Sequence, residues 1–355
     1  MARWMVVVSA LALTHGLGCT RPAPDGTPGY TVGGDTDTDA DADADADTDV
    51  DTDTDTDVIP DGPRLRVVGW NIQFTGSVGS EEYDATIDIL RRLDGDVVVL
   101  NEVDDDESDE LQAMADTLGY DEVLFPSSNP FGSQRNAMMA RVDVQLARVW
   151  TGADLSGDSQ AEDTTRYPVS MTVTPDGAEP ITIVGSHMKS GFDDVDEFRR
   201  SVDTIRAAQA AVAGGSDKML VLGDFNAELD EGFDSPATFT SIPSGTPFDY
   251  YLGSDLYDDL SNGGIDNFVF THLEAHELFL IDALQLDGRD ATREESGRRL
   301  DYIYASPAVH DAYPVAEIYD PRDEVGGLDK VGEVPAREAA ETASDHLPVV
   351  IEFSY

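Results

Sequence analysis

Lys218-Met219-Leu220-Val221-Leu222-Gly223-Asp224-Phe225-Asn226 is an apolar run that stops abruptly on an aspartate and an asparagine. It lacks the alternation of a half-exposed strand, so Lys218 to Gly223 is expected to be a strand covered on both faces, as in α/β sheets. Such sheets gather ligands where strand ends converge. Working outward, the same arrangement recurs. Asn71 follows Val67-Val68-Gly69-Trp70, Glu102 follows the run from Val97 to Asn101, and His187 follows Ile181 to Ser186. Asp301 lies within Arg298 to Ala305, and Asp345-His346 lead into Leu347-Pro348-Val349-Val350.

Between these runs the pattern turns helical. Glu81 to Leu93 carries Tyr83, Ile87, Leu90 and Leu93 at helical spacing, and Glu107 to Leu118 and Phe198 to Val212 are further helices. Gly214-Gly215 supplies a left-handed cap for the last of them. Strands are expected at Leu65–Trp70, Asp96–Leu100, Asn136–Ala140, Val169–Thr174, Ile181–Ser186, Leu300–Ala305 and Val349–Phe353. The stretch from Ala227 to Gly297 is rich in Gly and Asp and reads as long surface loops with little regular structure. With no repeat and no second break in composition, residues 62–355 read as one α/β domain.

The N-terminal part differs in kind. Arg3 followed by an apolar run from Trp4 to Leu13 reads as an export signal over residues 1–19, too short to span a bilayer. Gly16-Leu17-Gly18-Cys19 is similar to a bacterial lipoprotein processing box, although Leu17 sits two positions before the cysteine rather than three. Cys19 is the single cysteine of the chain, so it has no partner for an internal disulfide, and lipidation is a natural use for it. Residues 20–61 include a tract from Asp35 to Asp57 in which nearly every second residue is aspartate. Charge at that density cannot collapse into a core, and the tract reads as a disordered, self-extended tether. These features place the domain outside the cytoplasm, as a membrane-anchored lipoprotein or a periplasmic or extracellular protein. The net charge is −50, and about −38 remains once residues 1–61 are set aside. Such a surface repels polyanions at long range and disfavours tight duplex binding.

The strand-end residues are a coherent chemical set. Carboxylates bind hard divalent cations, amides donate to phosphate oxygens, and imidazoles move protons or stabilise charge. Trp70-Asn71-Ile72-Gln73, Asn101-Glu102-Val103, Arg166, Ser186-His187-Met188-Lys189-Ser190, Gly223-Asp224-Phe225-Asn226, Arg299-Leu300-Asp301-Tyr302-Ile303 and Ser344-Asp345-His346-Leu347-Pro348 occur in one order along the chain. Together they resemble the signature of the endonuclease/exonuclease/phosphatase (deoxyribonuclease-I-like) superfamily, here in a form similar to bacterial lipoproteins.

That resemblance implies a four-layer α/β sandwich of two mixed sheets flanked by helices, and hydrolysis of a phosphate ester by a metal-activated water. It implies Mg²⁺, with Mn²⁺ or Ca²⁺ as alternatives, held by Glu102 and Asp345. By the same resemblance Asp224 orients or deprotonates the water, Asn226 holds a phosphate oxygen and Asn71 positions both. His346 binds the phosphate with Asp301 behind it, and His187 is a candidate general acid. Arg166 and Asn136 are candidate substrate contacts, each with a plain alternative as a salt-bridge partner and a strand cap. Asn101 stands where the family usually has glutamine, and no carboxylate partner for His187 is evident.

The substrate stays open at this level. A phosphodiesterase or endonuclease acting as a monomer is the leading expectation, and an exported lipid or sugar-phosphate phosphodiesterase, similar to sphingomyelinases or inositol phosphatases, is the alternative. An inert calcium-binding surface protein is a third reading, disfavoured because every expected catalytic position is filled. His272, Glu274 and His276 invite a zinc reading, but their spacing departs from the helix-borne pattern and no third ligand is evident.

Overall fold

A computed structural model describes residues 62–229 and 237–355. The export signal, Cys19 and the aspartate-rich tether lie outside the described residues. In chain order the strands are β1 (Arg64–Asn71), β2 (Val97–Val103), β3 (Glu122–Leu124), β4 (Arg135–Ala140), β5 (Val144–Val149), β6 (Val169–Val173) and β7 (Ile181–Gly185). They continue with β8 (Lys218–Asp224), β9 (Thr238–Phe239), β10 (Ile265–Asp266), β11 (Phe279–Ile281), β12 (Asp301–Ala305), β13 (Val315–Ile318) and β14 (Val349–Ser354).

Two six-stranded sheets result, ordered β13-β14-β1-β2-β4-β3 and β11-β12-β8-β7-β6-β5, with β9 and β10 as a separate small pair. Both sheets are mixed. β1 runs parallel to β2 and β7 parallel to β8, while the remaining pairs are antiparallel. The expected α/β sandwich is therefore the one observed.

Alternation in a doubly covered strand assigns its two faces. Leu220 and Leu222 of β8 join Val67, Val99 and Met171 in the core between the sheets, whereas Val221 joins Ala207, Ala208 and Ala211 under the helix Asp194–Ala213. Glycine sets how closely the sheets approach. A Cβ at Gly185 would lie 2.5 Å from Val99 Cγ1, and one at Gly69 would lie 2.9 Å from Leu222 Cδ1. At the far face, Phe225 packs on Phe270 and Tyr304 with near-parallel rings, closing the wall beneath the site.

The helices differ from expectation at their ends and in number. Asp193 caps the long helix four residues earlier than its apolar face suggests, by accepting from the Asp196 amide. At the other end Gly214 stays right-handed and Gly215 takes the positive φ, at +76°. The stretch from Ala227 to Gly297 corrects a sequence expectation. Among its described residues is a helix, Ser254–Asn262, whose Leu256 and Leu260 form a separate core with Leu252, Ile265 and with Phe198 and Val202 of the long helix. None of the described helices is long and apolar enough to cross a membrane.

Candidate active site

The ends of β1, β2, β7 and β8 and the beginnings of β12 and β14 meet at one edge of the sandwich. Asn71, the last residue of β1, is buried, and its Nδ2 donates to Asp224 Oδ2 at 2.9 Å and to Glu102 Oε1 at 3.1 Å. Glu102 has φ of +63°, at a register shift between β2 and β4. A non-glycine residue in that region costs about 1 kcal/mol or more, and here the bulge turns the carboxylate out of the strand's alternation. Gln73 and Asn226, at +60° and +51°, share this backbone conformation at the same edge.

Asp224 ends β8 and is 2% exposed. Asn101 Oδ1 accepts from its amide at 3.0 Å, and its own Oδ1 accepts from the Asn226 amide at 2.9 Å. Burial pushes its carboxyl up to about 7, against the opposing pull of His346. Gly223, with φ of +137°, lets the chain here touch the Ser186 carbonyl, space that a Cβ would fill.

The two histidines have opposite surroundings. His346 Nδ1 lies 2.7 Å from Asp301 Oδ2 in a buried pair, and Asp301 stands directly across from Asp224 in the β8–β12 register. Burial opposes a charge on His346, but Asp301, with Asp224 and Asp345 beyond it, outweighs this and pushes the imidazole up to about 10. Its Nε2 faces Asp224 Oδ2 and Asp345 Oδ1, each at 3.9 Å. Ser344 Oγ ties this loop to β1 by donating to the Asn71 carbonyl at 2.6 Å, and Trp70 Nε1 donates to the His346 carbonyl at 2.9 Å.

His187 has no carboxylate behind it. Its Nδ1 is buried without a partner, and its Nε2 lies 3.0 Å from Asn226 Nδ2, 3.4 Å from Asp224 Oδ2 and 3.6 Å from Glu102 Oε1. The Asn226 amide also donates to the Met188 carbonyl at 3.2 Å, which orients its nitrogen toward the ring. Burial first, then Arg166 and His346, hold His187 well below its ordinary value, so the ring is neutral.

Glu102, His187 and Asp224 offer ligand atoms within 4.8 Å of one another. Two carboxylates converge there with only an amide and a neutral ring between them, an arrangement that fits a divalent cation. Asp345, expected beside Glu102 as a ligand, stays outside this group. Arg293 donates to its Oδ2 from Nε at 2.9 Å and pairs through Nη2 at 2.7 Å. Arg166 reaches the site edge, its Nη2 donating to Gln134 Oε1 at 2.9 Å and its Nη1 buried without a partner. Asn136, expected to touch substrate, is fully buried. Its amide accepts from Asn101 at 2.8 Å and donates to the Tyr167 carbonyl at 2.9 Å, so it supports Asn101 from behind. His272 Nε2 and His276 Nδ1 contact backbone carbonyls at 2.9 and 2.8 Å, and the candidate metal group among the described residues does not include them.

Several residues of the site carry no motif. Asp203, buried in the long helix and pushed up to about 6 by burial, accepts from the Thr165 and Lys189 amides at 2.6 and 2.9 Å. It thereby joins the approach to β6 with the loop after β7. Arg200 donates to the Gly191 carbonyl at 2.7 Å and to the Asn226 carbonyl. The one signal for Asp203 is an acid on an otherwise buried helix face.

The family model for the endonuclease/exonuclease/phosphatase family matches residues 68–346. The chain belongs to that family. Members of the family act on phosphate esters, and this chain is a hydrolase of that class. Solved structures agree on the fold. A 3′ phosphatase from Neisseria bound to product DNA hairpin is 16% identical with a TM-score of 0.52, over 82% of this chain and all of the other. The 2′,3′-cyclic phosphatase ANGEL2 is 13% identical with a TM-score of 0.52, over 82% and 95%. A family protein from Leptotrichia buccalis is 15% identical with a TM-score of 0.50, over 82% and 100%. No curated protein matches the chain in sequence.

Proposed function

We propose that this chain is an exported, divalent-cation-dependent phosphodiesterase in which Asp224 and His346 act on opposite charges of the same reaction. The observation that carries this reading is the buried His346–Asp301 pair at 2.7 Å, set beside the buried carboxylate of Asp224, which Asn71 and the Asn226 amide hold in place. Glu102 would hold the cation at the edge of its cluster with Asp224 and His187, which leaves those two side chains for proton transfer, and when bound the cation offsets negative charge on the phosphate and its leaving oxygen.

Asp224 accepts the proton of the attacking water, a task suited to a base whose pKa lies near the working pH. Asn71 holds its Oδ2, and the Asn226 amide holds its Oδ1, so the carboxylate stays aimed. The water oxygen forms the new bond to phosphorus as the bond to the leaving oxygen breaks. His346, cationic through Asp301, presents Nε2–H to a phosphate oxygen, and Arg166 supplies a second positive group. His187 is neutral before substrate binds. Its Nε2, 3.4 Å from Asp224 Oδ2, can receive the proton that Asp224 takes from the water and pass it to the leaving alkoxide.

The residual charge of about −38 supports a small or single-stranded ester over a duplex. Tethering through Cys19 would favour esters at a membrane surface, and this supports a lipid or sugar-phosphate diester as the second reading. A panel of plasmid DNA, single-stranded nucleic acid, sphingomyelin, inositol phosphates and bis-p-nitrophenyl phosphate, each with Mg²⁺, Mn²⁺, Ca²⁺ or chelator, tests both. Turnover in chelator equal to that in Mg²⁺ overturns the cation dependence. Glu102→Gln keeps the side-chain shape, so activity should fall by orders of magnitude while the fold persists.

A further inference from the structure

We propose that Gln134 is a positioning residue that insulates the cation-binding carboxylate of Glu102 from the guanidinium of Arg166. Gln134 immediately precedes β4, in a loop with no motif. Its Nε2 donates to Glu102 Oε2 at 2.6 Å and its Oε1 accepts from Arg166 Nη2 at 2.9 Å. Chemistry fixes which end is which: a carboxylate only accepts and a guanidinium only donates, so the amide has a single satisfactory orientation.

Both oxygens of Glu102 are then held, Oε1 by Asn71 and Oε2 by Gln134. One arm of the Arg166 fork is anchored, while Nη1 remains without a partner. Gln134, Arg166, Ser133 and Asp104 line a cavity of about 400 Å³ beside the site. Arg166 lies within the electrostatic reach of Glu102, Asp203 and Asp224. Nothing but the Gln134 amide bridges the guanidinium to Glu102 among the described hydrogen bonds. Without it, the fork is free to close on Glu102 as a bidentate ion pair, a geometry that guanidinium and carboxylate strongly favour. That pair would occupy the oxygens the cation needs and withdraw the positive charge meant for phosphate. A neutral amide that donates at one end and accepts at the other keeps the two charges apart while satisfying each.

This inference rests on Glu102 holding a cation, as proposed above. Its test is a titration of the full chain with Mn²⁺ alone, following free Mn²⁺ by electron paramagnetic resonance. Gln134→Met keeps the length of the side chain and removes the amide. Mn²⁺ affinity should fall roughly ten- to hundredfold, the scale of losing a partner that orients a metal ligand. Adding Arg166→Leu to Gln134→Met should restore the part of the loss that the competing ion pair causes, by more than Arg166→Leu alone raises affinity in the wild-type background. A merely structural role for Gln134 predicts no such rescue. Should Gln134→Met lower the melting temperature sharply, Gln134→Leu enters the same two titrations. Affinity within twofold of wild type, or a loss that Arg166→Leu does not relieve, overturns the insulation. If the wild-type chain binds no Mn²⁺, the cation reading itself fails and this inference with it, whereas wild-type binding with an indifferent Gln134 defeats the inference alone.

Discussion

His346 and His187 both look onto Asp224 Oδ2, at 3.9 and 3.4 Å, yet they are driven to opposite charge states. Behind His346 stands the carboxylate of Asp301; behind His187 the buried Nδ1 atom has no hydrogen-bond partner. Both rings are buried, so burial alone would make both neutral. What separates them is the charge around each: Asp301, with Asp224 and Asp345, raises His346, whereas Arg166 and His346 itself depress His187. The comparison teaches that an imidazole's part in such a site is set at the nitrogen that faces away from substrate.

The sharpest way to break this comparison is to remove the counter-charge. Asp301→Ala and His346→Ala should each lower kcat by about 10²–10³-fold, the scale of losing one oriented donor to a developing charge. The double variant should be no worse than either single one, since the pair acts as a unit. Losses that multiply would show two independent roles. A smaller effect separates the rings by leaving group. His187→Ala should slow hydrolysis of an alkyl diester about 10²-fold, within the range of general acid catalysis, and slow a p-nitrophenyl ester far less. Equal damage to both esters would make His187 a phosphate-binding or structural residue.

The pH profile sharpens the same contrast. Asp224 must lose its proton and His346 must keep its own, so activity at saturating cation should rise at a pH below about 7, because the cation pulls the Asp224 carboxyl down from its cation-free position, and fall as pH climbs toward about 10. His346 is raised in the folded state. Its stabilising pair with Asp301 is therefore fully present below the unfolded value near 6.5 and is lost as pH rises through about 10. The melting-temperature advantage of wild type over His346→Gln should shrink across that window. A constant gap would mean the pair does not titrate there. The smallest expected effect on chemistry is none. If Cys19 carries a lipid, as proposed, Cys19→Ser should move the protein out of the membrane fraction while leaving turnover unchanged, and an unaltered distribution would count against that anchor.

The residues around these two rings were legible because each terminates a long apolar run, and such runs become strands whose ends point to one edge. Asn71, Glu102, His187, Asp224 and Asn226 all follow that rule. Gln134 and Asp203 do not, since their contacts join segments 32 and 14 residues apart through loop geometry that local pattern does not encode. Asn136 sits behind Asn101 because β4 is buried on both faces, and alternation there does not say which side meets substrate. The short edge strands β3, β5 and β13 escaped notice for the opposite reason: partial exposure weakens their apolar signal. The core around Leu256 and Leu260 escaped because its helix is acidic and buries only those two side chains, against a partner some fifty residues earlier in the chain.

Trp70 is fully buried and donates its indole N–H to the backbone of His346. The site thereby contains its own optical probe. Any shift of the loop that carries His346 changes the hydrogen bond and the local field at the indole, and so should change the wavelength at which this tryptophan emits. Read against the emission of the chain's other two tryptophans, that change should report, in real time and without a label, substrate or product occupying the edge of the sandwich.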